Sequence, residues 1–337
     1  MKDKGTKRKR RRSSIANVIA IVCLLAGAAL LFAPLVMSAV SQASMDKEIA
    51  KVDELYSDND SGVSGGSGTQ ADSNGSSTAV SDANSKALAA AKKQLAHYNK
   101  QVAAGKISIA SDPFSFDDVV SNFGSQGLGD GLIGYIKVPS MNCKLPLYLG
   151  ASSEHMLKGA AVVSGSSAPL GEISSNCVIA AHRGYGSAAM FRDIEKPVKG
   201  DEVIVCTLWE KLTYTVVNTK VIRPTDTTAV GVQQGKDMVT LVTCHPYGHN
   251  EFRYVVECER SSKDAAVDDS GNDSSVSTGE TSDKRGLSLP EIEDYLRLTG
   301  GVVLLVCVGV LIARLVRSKR HCAGMRRKDD RKQQEDA

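Results

Sequence analysis

The middle of the chain is a succession of short apolar, β-branched runs separated by Gly, Pro or Asp. These runs fall at Leu132–Val138, Lys144–Leu149, Ala160–Val163, Cys177–Ala181, Glu202–Leu208, Leu212–Ile222, Met238–Thr243 and Phe252–Cys258. Eight strand signals with turn signals between them predict a mostly β barrel or sandwich. Short helices are predicted over Ala188–Ile194 and Ala229–Gly235. Upstream, residues 86–104 (KALAAAKKQLAHYNKQVAA) are rich in good helix formers, and His97 reads as part of a solvated face of that helix. Residues 43–56 also carry helical charge spacing.

Two long uncharged blocks frame this region. Val18–Met37 runs for twenty residues without a charge, the length of a bilayer-crossing helix. A cleavable signal is the competing reading, with Ser41-Gln42-Ala43 as a small-x-small site. The apolar part of a signal is usually only about 7–15 residues, so the length favours an uncleaved anchor. Leu298–Ala313 adds sixteen uncharged residues between Arg297 and Arg314, whose heads can reach toward the interface. The sequence RSKRHCAGMRRK that follows argues against a buried core helix.

Residues 57–85 and 261–288 are almost wholly Ser, Gly, Asp, Asn and Thr with scattered Ala and Val. Such stretches bury too little apolar surface to order themselves. The expected organisation is a basic tail at 1–14, a span at 15–40 and a spacer with helix at 41–104. A folded domain at 105–260 follows, then a spacer at 261–296, a span at 297–316 and a basic tail at 317–337.

Charge orients this frame. The whole chain is +3, yet residues 1–12 alone hold eight Lys/Arg against one Asp. The other end is basic too, so the centre is net acidic. Basic ends beside apolar blocks point to the inner face of a membrane rather than to nucleic acid. Both termini are thus expected inside the cell and the folded domain outside, with membrane lipid as a partner.

Eight Cys are present; Cys143, Cys177, Cys206, Cys244 and Cys258 fall in the outer region. An odd number leaves at least one thiol unpaired. Cys143, Cys177, Cys206 and Cys258 are read either as up to two disulfides or as small buried hydrophobes. No CxxC spacing suggests a metal, and no cofactor is expected.

Cys244 differs, because it closes a strand-like run and is followed at once by His245-Pro246-Tyr247-Gly248. A side chain at a strand mouth can face a cleft. A reactive thiolate needs a positive neighbour, and Arg253 returns on the next strand. Covalent catalysis also needs a proton donor, normally His. Spacing alone leaves His182, at the end of CVIAAH, level with His245 and His249.

TLVTC at Thr240–Cys244 resembles the TLxTC signature of sortases, the cysteine transpeptidases of Gram-positive cell surfaces. AAHRGYG is similar to the stretch around the family's histidine and GYIKVPSMNCKLPLYLG to its first two strands. CHPYGHNEFRYVV resembles the class C version, with Arg253 at the family's arginine. Ser111-Asp112-Pro113-Phe114 is similar to the Asp-Pro-aromatic lid of class C, the pilin-polymerising sortases, although Trp is common where Phe114 stands.

The resemblance implies an eight-stranded sortase-type β-barrel with short helices, an N-terminal helical and lid extension (lid 111–116), and transmembrane helices at both ends. It implies Cys244 as nucleophile, His182 as general acid and base, and Arg253 as the group that steadies the oxyanion or substrate. Asp112, Pro113 and Phe114 would form the lid, while Thr243 and Asn250 would help position substrate. The substrate would be an LPXTG-like sorting signal on a pilin or surface protein, and the acceptor a pilin Lys. Anchoring of surface proteins to peptidoglycan is the alternative within the family. A non-enzymatic membrane-tethered binding protein, with Cys244 as a structural thiol, is the alternative outside it.

Overall fold

A computed structural model describes residues 36–56, 77–110, 112, 114 and 130–261 except 187, with scattered positions in the two apolar blocks. Most of the expected spans at 15–40 and 297–316, the spacers at 57–76 and 262–296, and lid residues Ser111 and Pro113 lie outside the described residues. Among the described residues, no helix is long and apolar enough to cross a membrane.

Eight strands close into one barrel: β1 (Leu132–Val138), β2 (Cys143–Leu149), β3 (Ala160–Val162), β4 (Ser175–Ala180), β5 (Glu202–Thr207), β6 (Lys211–Ile222), β7 (Asp237–His245) and β8 (Phe252–Arg260). Their order around the barrel is β1-β2-β3-β4-β7-β8-β6-β5. Two of the pairings, β2 with β3 and β4 with β7, are parallel. Parallel neighbours cannot be joined by a tight hairpin and need a crossover. A short helix, Ser153–Lys158, makes the first crossover, and the β5–β6 hairpin makes the second. Ser152 caps that helix by accepting from the His155 amide at 3.2 Å.

Alternation along the strands sorts the side chains into two layers. Ile136, Leu145, Ile179, Val205, Tyr214, Leu241 and Val256 belong to one buried cluster. All eight strands contribute to it, so it fills the barrel. Their neighbours Tyr148, Ala161, Val178, Val242 and Val255 form a second cluster on the outer face, under Val52 and Met156.

Two helices precede the barrel. Residues 36–56 form α1, and α2 spans Ser77–Ala103. The crossover helix is therefore α3. α2 buries Ala91, Leu95, Tyr98, Asn99 and Val102, a stripe at helical spacing. Asn99 is the polar member, and its amide bonds the Ala168 carbonyl at 3.0 Å and the Glu172 carboxylate at 2.9 Å. Its carbonyl accepts from the Ala168 amide at 2.7 Å.

Several expectations are corrected. Residues 77–85 are helical rather than spacer, because a helix once nucleated in the Ala-rich segment propagates outward at little cost. Ala188–Ile194 is a set of turns, with Tyr185 bridged to Ala188 and Met190 at φ 43°. The turn after β6 is a 3-10 helix at Thr227–Val230, earlier than the helix expected at Ala229–Gly235. Cys143, Cys177, Cys206, Cys244 and Cys258 are free thiols; Cys143, Cys177 and Cys258 are buried. Burial pushes the Cys143 thiol up to about 12.

Asn99 and Lys92 contrast two ways of holding α2 to the barrel. Lys92 pairs with Glu210 at 3.0 Å, but both side chains are more than one-third exposed. Such pairs contribute about 0–1 kcal/mol. Asn99→Ala leaves buried partners unsatisfied, at about 1–3 kcal/mol. Urea unfolding should show a clear loss of midpoint for Asn99→Ala and little for Lys92→Ala; equal shifts would contradict the anchoring role of Asn99.

Candidate active site

Strand register assembles the site. β4 and β7 run parallel, with Ala180 opposite Val242, so continuing two residues brings His182 level with Cys244. β8 runs antiparallel to β7, with Arg253 directly opposite Cys244. Cys244, His182 and Arg253 therefore share one rim of the barrel, whereas His249 lies on the exposed turn between β7 and β8. The buried Thr243 hydroxyl donates to the Ala181 carbonyl at 2.6 Å and fixes the residue before His182.

Arg253 is buried, with its guanidinium fully oriented. Nη1 donates to the carbonyls of Asn250 (2.8 Å) and Phe252 (2.7 Å). Nε and Nη2 donate to the two oxygens of Asp112, at 2.8 and 2.5 Å. Asn250 thus touches Arg253 through its backbone, with its own side chain in an exposed turn. Phe114 lies under the same guanidinium, 5.0 Å from its ring centre, and 6.1 Å from the His182 ring. Tyr185 stacks on His182 at 5.1 Å. Asp112 and Phe114 therefore sit across the rim. The slot beneath them, lined by Val163, Val178, Ile222, Val242 and Arg253, retains a cavity of only about 20 Å³.

A second arginine, passed over in the sequence, stands behind Cys244. Arg183 is buried, and its Nη1 lies 3.4 Å from the Cys244 carbonyl and 2.8 Å from His245 Nδ1. Its Nη2 donates to Glu195 at 2.5 Å. His245 is thereby engaged by Arg183 and Glu195. The only sequence signal was the Arg directly after His182. Among the described residues, no group of His, Cys, Asp or Glu is arranged to hold a metal.

Burial pushes the Cys244 thiol above its ordinary range; Arg253 and Arg183 pull it down, while Asp112 pushes it up. Burial also lowers His182 below the usual imidazole value. With Asp112 and Phe114 in place, burial thus favours the protonated thiol and the neutral imidazole. Asp112→Ala/Phe114→Ala removes a negative charge and admits water, and both changes favour the thiolate. The rate–pH curve for alkylation of Cys244 should shift to lower pH. At neutral pH the rate should rise by about tenfold for each unit of that shift. An unchanged curve would remove the lid from control of the thiol.

Comparison with known proteins follows the same residues. The sortase domain family matches residues 136–261, from within β1 to the residue after β8. Sortase A of Bacillus anthracis is 31% identical over 125 residues, covering 37% of this chain and 58% of that protein. The chain spans about 60% of the length of the curated relatives it matches. Among solved structures, a mutant of sortase C-1 from Streptococcus pneumoniae superposes with a TM-score of 0.52 at 26% identity, covering 64% of this chain and 97% of that one. Sortase C1 of Streptococcus agalactiae gives 0.50 at 29%, covering 55% and 93%. A domain match that coincides with the barrel, on a fold shared with two sortases at this level of identity, makes the chain a member of the sortase family.

Proposed function

We propose that the chain is a membrane-anchored cysteine transpeptidase of the pilin-polymerising type, acting on an LPXTG-like sorting signal. The observation that carries this reading is the rim on which Cys244, Arg253 and the end of β4 converge under a fitted Asp112–Phe114 lid. The likeness to two solved sortases named C1 and C-1 supports the class.

In this mechanism the Cys244 sulfur attacks the Thr carbonyl of the signal. The oxyanion that develops lies against the Arg253 guanidinium, once Asp112 has withdrawn. The tetrahedral species collapses with loss of the Gly amine, which takes a proton from His182. A thioacyl enzyme remains. The incoming Lys amine of a pilin gives its proton to His182 and attacks the thioester. The second tetrahedral species collapses to the isopeptide bond, and the departing Cys244 sulfur recovers its proton from His182. His182 starts neutral, so it first takes the proton of the Cys244 thiol as the sulfur attacks.

Relatives named sortase A and sortase D favour a second reading, in which the acceptor is a peptidoglycan amine. The same residues serve both, and supplying the two amines in competition separates them. The apolar blocks at 15–40 and 297–316 would hold both termini inside and the barrel outside.

Cys244→Ala should abolish the thioacyl adduct with a sorting peptide. His182→Ala should lower kcat/KM by about 10²–10⁴ and Arg253→Ala by about 10²–10³, while His249→Ala keeps most activity. Full turnover by the His182 variant would sink the assignment. For topology, a tag at either terminus should survive protease added to intact cells, while one in 57–76 should be lost; a protease-sensitive C-terminal tag would overturn the two-span arrangement.

A further inference from the structure

The slot beside Asp112 and Arg253 has a larger neighbour. A larger cavity of about 390 Å³ opens beside it, between the end of α2, the segment 105–109 that leads to the lid, and the loop 227–234. Ile109, Thr227 and Val230 line both spaces. The two spaces adjoin along these residues, and Arg253 lines only the smaller one.

The larger cavity has the properties of a preformed site. Its volume lies in the range of ligand clefts, ~300–1,000 Å³. One wall is braced from inside the barrel. The buried Asn176 amide donates to the carbonyls of Val230 (2.9 Å) and Gly231 (3.1 Å), and its oxygen accepts from Thr240 at 2.9 Å. Lys220 donates to the Ala229 carbonyl at 2.7 Å and pairs with Glu257 at 2.6 Å.

The facing wall is equally fixed. The Gly165 amide donates to the Tyr98 hydroxyl at 3.0 Å. Residues 108–109 lie so close to Gly165 that a Cβ there would meet the Ser108 carbonyl at 2.3 Å. Gln234 bridges to the Ala103 carbonyl at 3.2 Å. A wall ordered in advance loses little freedom when a ligand arrives. None of the described residues lining the cavity is charged; Ser108, Ser166 and Thr228 mingle with Val102, Ile107 and Val232.

The occupant follows from the chemistry of the donor, and this step rests on the sortase reading of Cys244. In a Leu-Pro-X-Thr-Gly signal the large apolar groups precede the Thr under attack. Once Asp112 and Phe114 withdraw, the slot beside Arg253 would offer that Leu and Pro an apolar wall of Val163, Val178, Ile222 and Val242. With Thr at Cys244, the residues before Leu run on into the larger cavity. We propose that this cavity is an upstream subsite, which holds a short uncharged stretch of the donor protein immediately N-terminal to its sorting signal. At 3.3–3.6 Å per extended residue, only a few residues are needed.

The test uses the purified full chain and three fluorogenic peptides. One is the signal alone, one carries four uncharged residues before Leu, and one carries four acidic residues there. The uncharged extension should lower KM by roughly tenfold, and the acidic one should give no gain. Thr228→Trp, which fills the cavity from an exposed position, should bring the ratio of KM values for the bare and uncharged-extended peptides close to one. Gln234→Lys should lower KM for the acidic extension several-fold, which supplies a second variant if the first does not fold. Equal KM for bare and uncharged-extended peptides would overturn the subsite, as would an unchanged ratio in Thr228→Trp. Absence of a thioacyl adduct with all three peptides would overturn the sortase reading itself, and the subsite with it.

Discussion

The parallel ladder between β4 and β7 is the constraint on which the site depends. Six residue pairs, from Ser175 opposite Asp237 to Ala180 opposite Val242, bring two strand ends to the same rim. A slip of one residue would turn every side chain of one strand to the other face. Two buried bonds oppose that slip: Thr240 to Asn176 within the ladder, and Thr243 to Ala181 just beyond it. The apolar alternation of both strands opposes it as well, because Ile179 and Leu241 fill the barrel while Val178 and Val242 face outward. Core packing and the placement of His182 and Cys244 are thus one geometric fact.

Arg253 adds the second layer of order. A guanidinium has five N–H donors, and four hydrogen bonds hold this one. Two bind the carbonyls of Asn250 and Phe252 within its own turn, and these survive any motion of the lid segment. The other two bind Asp112. Were Asp112 to withdraw, the two carbonyl bonds of Nη1 would still orient the guanidinium, the condition under which a fixed cation stabilises developing charge best. Asp112 is a carboxylate occupying the place of an anion. Under the transpeptidase reading, a substrate oxyanion would compete with it for the same donors.

The eight strands were legible in the sequence because each is a short apolar, largely β-branched run bounded by turn residues, and their limits fall within two residues of the reading. α3 was not legible, because a six-residue helix has too few turns to show a period. Ala188–Ile194 misled, since its apolar spacing imitates a helix that the Tyr185–Ala188 bridge and the positive φ of Met190 exclude. At the rim, Arg253 opposite Cys244 follows from hairpin arithmetic. The choice among His182, His245 and His249 does not, because parallel pairing leaves no local mark in a sequence. Only the ladder puts His182 level with Cys244, and only the fold shows His245 held by Arg183 and Glu195. Arg183 itself reads as a solvated charge until its burial is seen.

Electrostatics joins the lid segment to the nucleophile under the transpeptidase reading. Cys244 is disfavoured as a thiolate mainly by burial, and the Asp112 charge adds to that penalty. Arg253, whose attraction would favour the thiolate, is itself neutralised by the same carboxylate. Withdrawal of residues 112–114 reverses all three effects together: water returns, the negative charge departs, and the guanidinium field is freed. A donor peptide that displaces the segment thereby supplies the condition for its own attack. The apparent affinity of that donor falls with the fraction of enzyme that is open. In exchange, a thiol kept protonated while residues 112–114 are in place resists oxidation and reaction with small electrophiles until a donor binds. Admission of substrate and activation of the thiol are therefore a single displacement, and neither can be strengthened without the other.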